Sequence, residues 1–135
     1  MKTIVVGDIH GCFEEFQALL SQCKRQPEDQ VISVGDLVDR GPDPRSVVEF
    51  FMNDSNAHAI LGNHEDNHIR IRKGNLEASL SQAICKTQLG SFYDDAVDYF
   101  ESLPLYLQAH ECLIVHAGFV PNVPIEQQPR NAFLR

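Results

Sequence analysis

The chain has no tryptophan, few cysteines, no long apolar run and no surplus of positive charge, and each shortage removes a class of function. Its 11 Lys and Arg residues stand against 19 Asp and Glu, for a formal net charge of −8. So acidic a chain is a poor match for a nucleic-acid backbone or an anionic membrane, both of which require clustered cations. Small anionic substrates stay open, because bound metal ions reverse the local field of a site whatever the net charge. No stretch reaches the roughly 20 apolar residues of a membrane helix, and the opening MKTIVVGDIHG lacks the apolar segment and cleavage site of a secretory signal. A cytoplasmic location is expected. Cys12, Cys23, Cys85 and Cys112 contain no C-x-x-C pair, so reduced thiols are expected in place of a disulfide frame or a structural zinc site. There is no internal repeat or low-complexity tract.

What remains is a chain of 135 residues, 43% of them hydrophobic, enough for one core and a single domain over residues 1–135. Lys2 to Val6 is a β-branched run stopped by Gly7, and Phe13, Phe16, Leu19, Leu20 and Cys23 then recur at helical spacing. The unit repeats: Val31 to Val34 reads as a strand, and Asp43 as an N-cap with Pro44 at the first helical position before Val47, Val48, Phe50 and Phe51. Ala57 to Leu61 makes a third strand, followed by the polar, helical NHEDNHIRIRK. Residues 74–91 are weakly periodic. A helix is expected through Phe92, Ala96, Val97 and Phe100, then strands at Leu105 to Leu107 and Cys112 to Val115, and an extended loop from Pro121 to Arg135. Alternating strands and helices predict an α/β fold with layered sheets flanked by helices.

Each strand end carries polar residues beside a glycine: Gly7-Asp8-Ile9-His10-Gly11, Gly35-Asp36, Gly62-Asn63-His64-Glu65 and His116-Ala117-Gly118. Ligands of α/β sheets bind beyond the carboxyl ends of the strands, where the loops converge. Asp8, His10, Asp36, Asn63 and His116 mix hard oxygen donors with imidazoles, a set suited to Mn²⁺ or Fe, with catalytic Zn²⁺ as an alternative. Two carboxylates and two imidazoles exceed what one ion needs when water must also bind, so two metals bridged by an Asp are inferred. Arg40 offers a bidentate fork for phosphate, and Asp39 could orient the His64 imidazole.

GDIHG, GDLVDRG, GNHE and VHAG, in this order, resemble the signature of the calcineurin-like metallophosphoesterases, and in particular the phosphoprotein phosphatase branch with its compact bacterial and phage serine/threonine phosphatases. The resemblance implies a metallophosphoesterase β-sandwich in which Asp8, His10 and Asp36 hold one metal and Asp36, Asn63 and His116 the other. It also implies attack by a metal-bridging hydroxide, phosphate binding by Arg40 and Asn63, and protonation of the leaving alcohol by His64 paired with Asp39. Mn is the leading metal, with Fe, Zn or Ni as alternatives. The family supplies a further histidine downstream of HAG, and no histidine follows His116. A domain truncated at its C-terminus is therefore expected, with Arg135 as a stranded phosphate contact. The substrate implied is a phosphomonoester, foremost phosphoserine, phosphothreonine or phosphotyrosine on proteins. Dinucleoside polyphosphate hydrolysis is the alternative, disfavoured by Asp39 and Glu65, and a catalytically silent binding module is the second.

Plainer readings compete at several positions. His64-Glu65-Asp66-Asn67-His68 matches H-E-x-x-H of the zinc proteases, but a protease would leave Asp8, His10, Asp36 and Arg40 without a role. His68 is expected on a solvated helix face, and His58 and His110 as ordinary, partly buried histidines. Asp39 and Arg40 could form a local salt bridge, Glu65 could receive a helix-start N–H, and Cys12 could be a buried thiol. Asp94, Asp95 and Asp98 lack EF-hand spacing and read as a solvated face.

Overall fold

The computed structural model describes residues 1–135. Strands β1 (Thr3–Val6), β2 (Gln30–Ser33) and β3 (Ala57–Ala59) form a parallel sheet in that order, with Val5 opposite Ile32 and Ile32 opposite His58. Parallel neighbours cannot be joined by a tight turn, and helices α1 (Phe13–Gln22) and α2 (Pro44–Asn53) supply the two crossovers. Helices α3 (Asn63–Arg72), α4 (Leu80–Leu89) and α5 (Tyr93–Ser102) follow, and β4 (Tyr106–Ala109) pairs antiparallel with β5 (Cys112–Val115). A short helix, α6 (Arg130–Leu134), is the last element.

Period-two alternation divides the side chains of β2 between two cores. Val31 joins a large cluster with Phe16 of α1, Val47 and Phe51 of α2, Ile69 of α3, Leu89 of α4 and Phe100 of α5. Ile32, on the opposite face, meets Ile60, just past β3, and Ile114 of the β4-β5 hairpin. The parallel sheet is thus layered between helices and a second, smaller sheet, as the strand and helix pattern predicts. Fully burying one such side chain is worth about 1.5–3 kcal/mol, and this holds the strand ends in place.

Helix starts follow their local chemistry. The Asp43 carboxylate accepts the Ser46 N–H at 3.0 Å, with Pro44 in the first turn of α2. The weakly periodic 74–91 segment contains α4, whose start is fixed by reciprocal bonds between Ser79 and Gln82. β3 stops two residues short of the expected strand end, because the Leu61 N–H leaves the sheet for the Pro104 carbonyl at 2.8 Å. The tail corrects the expectation of an extended loop: Phe133 and Leu134 are buried, Phe133 stacks on Tyr106, and the backbone coils into α6 to bring both inward.

Candidate active site and metal centre

The turns after β1 and β2 are stitched together by backbone bonds. The N–H groups of Ile9 and His10 both donate to the Asp36 carbonyl, at 3.0 and 2.9 Å, and the Gly41 N–H donates to the His10 carbonyl at 2.8 Å. Four non-glycine residues in these turns have left-handed backbones: His10 (φ 47°), Asp36 (55°), Asp39 (68°) and Arg40 (75°). Each such conformation costs on the order of 1 kcal/mol or more and persists only where the surroundings enforce it. At Asp36 the enforcing group is Glu65. Fully buried on the first turn of α3, its carboxylate accepts the N–H of Asp36 (2.8 Å), Leu37 (2.7 Å), Val38 (3.2 Å) and Gly62 (3.1 Å). Glycine is required at position 62, where a Cβ would collide with the Asp36 amide and carboxylate. Burial, followed by the charge of Asp36, pushes the Glu65 carboxyl up to about 7 against the pull of its backbone donors.

Asp36 is the hub of the site. Its Oδ1 accepts the His64 N–H at 3.0 Å, which turns Oδ2 toward three imidazoles: His116 Nε2 at 3.5 Å, His10 Nε2 at 3.8 Å and His64 Nε2 at 4.0 Å. Asp8 Oδ2 lies 3.8 Å from His10 Nε2. His10 and His116 each donate Nδ1–H to a backbone carbonyl, Val38 and Val34 respectively, both at 2.8 Å. That tautomer leaves the two Nε2 lone pairs facing the carboxylates.

Two observations test whether the set fits divalent ions. His10 Nε2 is buried with no hydrogen-bond partner. His116 Nε2 and Asn63 Oδ1, both acceptors, face each other at 2.9 Å, close to the separation of adjacent ligands that bonds of about 2.1 Å give in octahedral coordination. Lone pairs so arranged repel unless a cation lies between them, and the residues fit. Asp8, Asp36 and His116 form one group of converging donors, and His10, Asp36 and His64 another.

Behind the donors lies Asp39, fully buried. Its carboxylate is 2.6 Å from His64 Nδ1 and 2.7 Å from His68 Nε2. Burial pushes the Asp39 carboxyl up, but the bonds to His64 and then His68 outweigh it and hold it well below the usual carboxylate range. The same bond to Asp39 raises the His64 pKa against desolvation, with the Asp36 charge adding to it. Arg40 extends an exposed guanidinium to 3.5 Å from His64 Nε2. Asp39 is thereby committed to imidazoles and not to a local bridge with Arg40.

The structure brings Asp8, His10, Asp36, Asn63, His64 and His116 together, with Arg40 and Asp39 beside them. Arg135 is not part of that cluster; it donates to Asp66 (3.4 Å) and Asn67 (3.1 Å) on α3, next to Arg130, which binds Asp66 at 2.9 Å. His68 corrects the sequence reading most, being buried where a solvated face was expected. The signal was present in the i, i+4 spacing of His64 and His68, which puts both imidazoles on one helical face; here they share a carboxylate. Glu65 serves the backbone, as expected, and does so for four N–H groups. His58 and His110 are exposed, where partial burial was expected. Cys12 is the half-buried N-cap of α1, and Asp98, on the solvated face of α5, pairs with Arg72 at 2.7 Å.

Carboxylates, imidazoles and an amide converge beyond the strand ends, with the exposed Arg40 guanidinium at the rim, a donor set suited to divalent ions. The family model for calcineurin-like phosphoesterases matches residues 1–133, and the chain belongs to that family. Among curated relatives, a protein of Nitrosospira multiformis named symmetrical bis(5'-nucleosyl)-tetraphosphatase is 35% identical over 94% of the chain and 47% of its own length. One of the same name from Shewanella sediminis is also 35% identical, over 93% of the chain and 47% of its own length. A crystal structure of a candidate diadenosine tetraphosphatase superposes with a TM-score of 0.82 at 32% identity, over 97% of this chain and 56% of that one. A serine/threonine protein phosphatase of Saccharomyces cerevisiae gives 0.64 at 27% identity, over 91% and 39%. The chain spans about half the length of the curated relatives it matches. No helix is long and apolar enough to cross a membrane.

Proposed function

We propose that the site hydrolyses phosphate esters and anhydrides of small molecules, with dinucleoside polyphosphates as the leading substrates. The observation that carries this reading is the name shared by relatives 34–36% identical to this chain, all symmetrical bis(5'-nucleosyl)-tetraphosphatases. It reverses the order expected from the motifs, in which phosphoproteins came first. Asp8, His10 and Asp36 would hold one divalent ion and Asp36, Asn63 and His116 another, with manganese the leading candidate. Bound there, such ions lower the pKa of water and neutralise charge on the phosphoryl oxygens.

The side chains of the protein supply the rest. Arg40 binds two phosphoryl oxygens through its guanidinium fork. As the bond between phosphorus and the leaving oxygen breaks and the bond to the attacking oxygen forms, His64 gives its Nε2 proton to the leaving oxygen. Asp39 holds the imidazole at its other nitrogen, keeping Nε2 directed outward. A cytoplasmic setting with free cysteines belongs to the same proposal.

A phosphopeptide is the second reading, favoured by the Asp39–His64 pair and by the likeness to the yeast protein phosphatase. Turnover of diadenosine tetraphosphate and of a phosphoserine peptide, each with Mn²⁺ and with excess chelator, tests both. Chelator-sensitive cleavage of the dinucleotide is expected to exceed that of the peptide. The reverse preference would overturn the assignment, and turnover surviving both chelator and Asp36→Asn would overturn the metal site.

A further inference from the structure

We infer that His68 is a positioning residue for His64, acting through Asp39 in a buried hydrogen-bonded row that is anchored at Tyr93 on α5. The row runs from Tyr93 Oη to His68 Nδ1 (3.2 Å), from His68 Nε2 to Asp39 Oδ1 (2.7 Å), and from Asp39 Oδ2 to His64 Nδ1 (2.6 Å). Asp39 and His68 are both fully buried, and Tyr93 nearly so. A carboxylate can only accept, so both imidazoles must donate to it. His68 then carries its proton on Nε2 and accepts the Tyr93 hydroxyl at Nδ1, which fixes its tautomer. His64 carries a proton on Nδ1, which turns its Nε2 toward Arg40 and Asp36. A carboxylate held at one oxygen can swing about its last torsion. Asp39, held at both, cannot, and the ring of His64 inherits that rigidity.

Two other roles for His68 fail on the same geometry. Asp39, His68 and Cys85 have donor atoms near one another, yet both Asp39 oxygens and both His68 nitrogens are already engaged in hydrogen bonds, which leaves that group without free lone pairs to converge on an ion. Simple apolar filling fails too, because a leucine would pack there without closing either end of the row.

The kinetic consequence rests on the phosphoesterase reading; the positioning itself does not. Phenyl phosphate needs its leaving oxygen protonated, whereas p-nitrophenyl phosphate leaves with little help, so a misdirected His64 should hurt the first selectively. His68→Leu is expected to lower kcat on phenyl phosphate about tenfold more than on p-nitrophenyl phosphate with KM little changed, a modest part of the general-acid effect. His68→Gln, whose amide can restore the donor to Asp39, should recover most of the loss, and Tyr93→Phe should show a smaller loss of the same kind. Equal losses on the two substrates, or none, would overturn the inference. Nitrogen-15 NMR of the His64 ring, taken at a pH high enough for the ring to be neutral, reads the row without turnover: a Nδ1-protonated ring in the parent, and a mixed or inverted tautomer in His68→Leu. Should His68→Leu not fold, Tyr93→Phe and His68→Gln report on the same signal. Unchanged His64 signals in the variants would sink the row. A parent inert on both esters, with His64 signals that shift in the variants, would remove the phosphoesterase reading and leave the row standing.

Discussion

Glu65 shows how much one side chain can organise. All of its lone-pair directions are taken by N–H groups of the strained turn after β2 and of Gly62. Glu65→Gln replaces an oxygen by an NH₂ that faces donors, leaving buried N–H groups without partners at a cost of about 1–3 kcal/mol each. Unfolding in urea should therefore show a loss of roughly 2–4 kcal/mol, and a loss under about 0.5 kcal/mol would remove Glu65 from this role. Asp39 and His64 make a second prediction, this one in pH. The carboxyl of Asp39 is held below its unfolded value, so its contribution is complete above about pH 4 and fades as pH falls further. The His64 pKa is raised, so its contribution is complete below about pH 6.5 and fades as pH rises through the folded value. In metal-free protein the stability gap between parent and Asp39→Asn should be widest near pH 5 and narrow toward pH 3 and pH 9. A gap independent of pH would show that the pair contributes no charge interaction.

Elements were legible where burial follows a simple period. β1, β2, α1 and α2 announce themselves through β-branched runs, i, i+4 apolar pairs and the Asp43-Pro44 start, and Asp43→Ala should cost about 1 kcal/mol in urea unfolding. A change below about 0.2 kcal/mol would mean that the bond to Ser46 adds nothing beyond what water supplies. Helix α3 was legible in extent but not in orientation. NHEDNHIRIR reads as a surface helix, yet Glu65, Asp66 and His68 are buried in it. Hydropathy carries no sign of this, because the compensation is long-range: each buried polar group is satisfied by Asp39, by turn N–H groups or by Arg130, all distant in sequence. Helix α6 was missed because three prolines dominate its local signal, while the Tyr106 ring that receives Phe133 lies on β4, distant in sequence. The metal-centre candidates, by contrast, were legible as motifs, since each follows a strand that ends in a glycine or polar turn.

At the scale of the whole molecule, the two sheets and the turns after β1, β2, β3 and β5 spend their rigidity on bringing Asp8, His10, Asp36, Asn63 and His116 together, and the arrangement carries its own electrostatic cost. Asp8 and Asp36 face imidazole lone pairs, His10 Nε2 has no partner, and His116 Nε2 opposes the Asn63 oxygen. A divalent ion would remove these repulsions in the folded protein alone, since the unfolded chain scatters the donors over more than a hundred residues. Ligands that bind only the native state stabilise it by mass action, about 2.7 kcal/mol at a hundredfold excess over Kd. For a domain of this size, each kcal/mol raises Tm by roughly 3–6 °C, so Mn²⁺ at saturating concentration should lift the melting temperature by about 8 °C or more. Chelator should reverse the shift, and Asp36→Asn should abolish most of it, because that carboxylate serves both donor groups. A shift of equal size in parent and variant would place the ion elsewhere on this acidic surface. A parent that binds no ion would mean that the converging donors, alone on this chain, do not suffice to hold one.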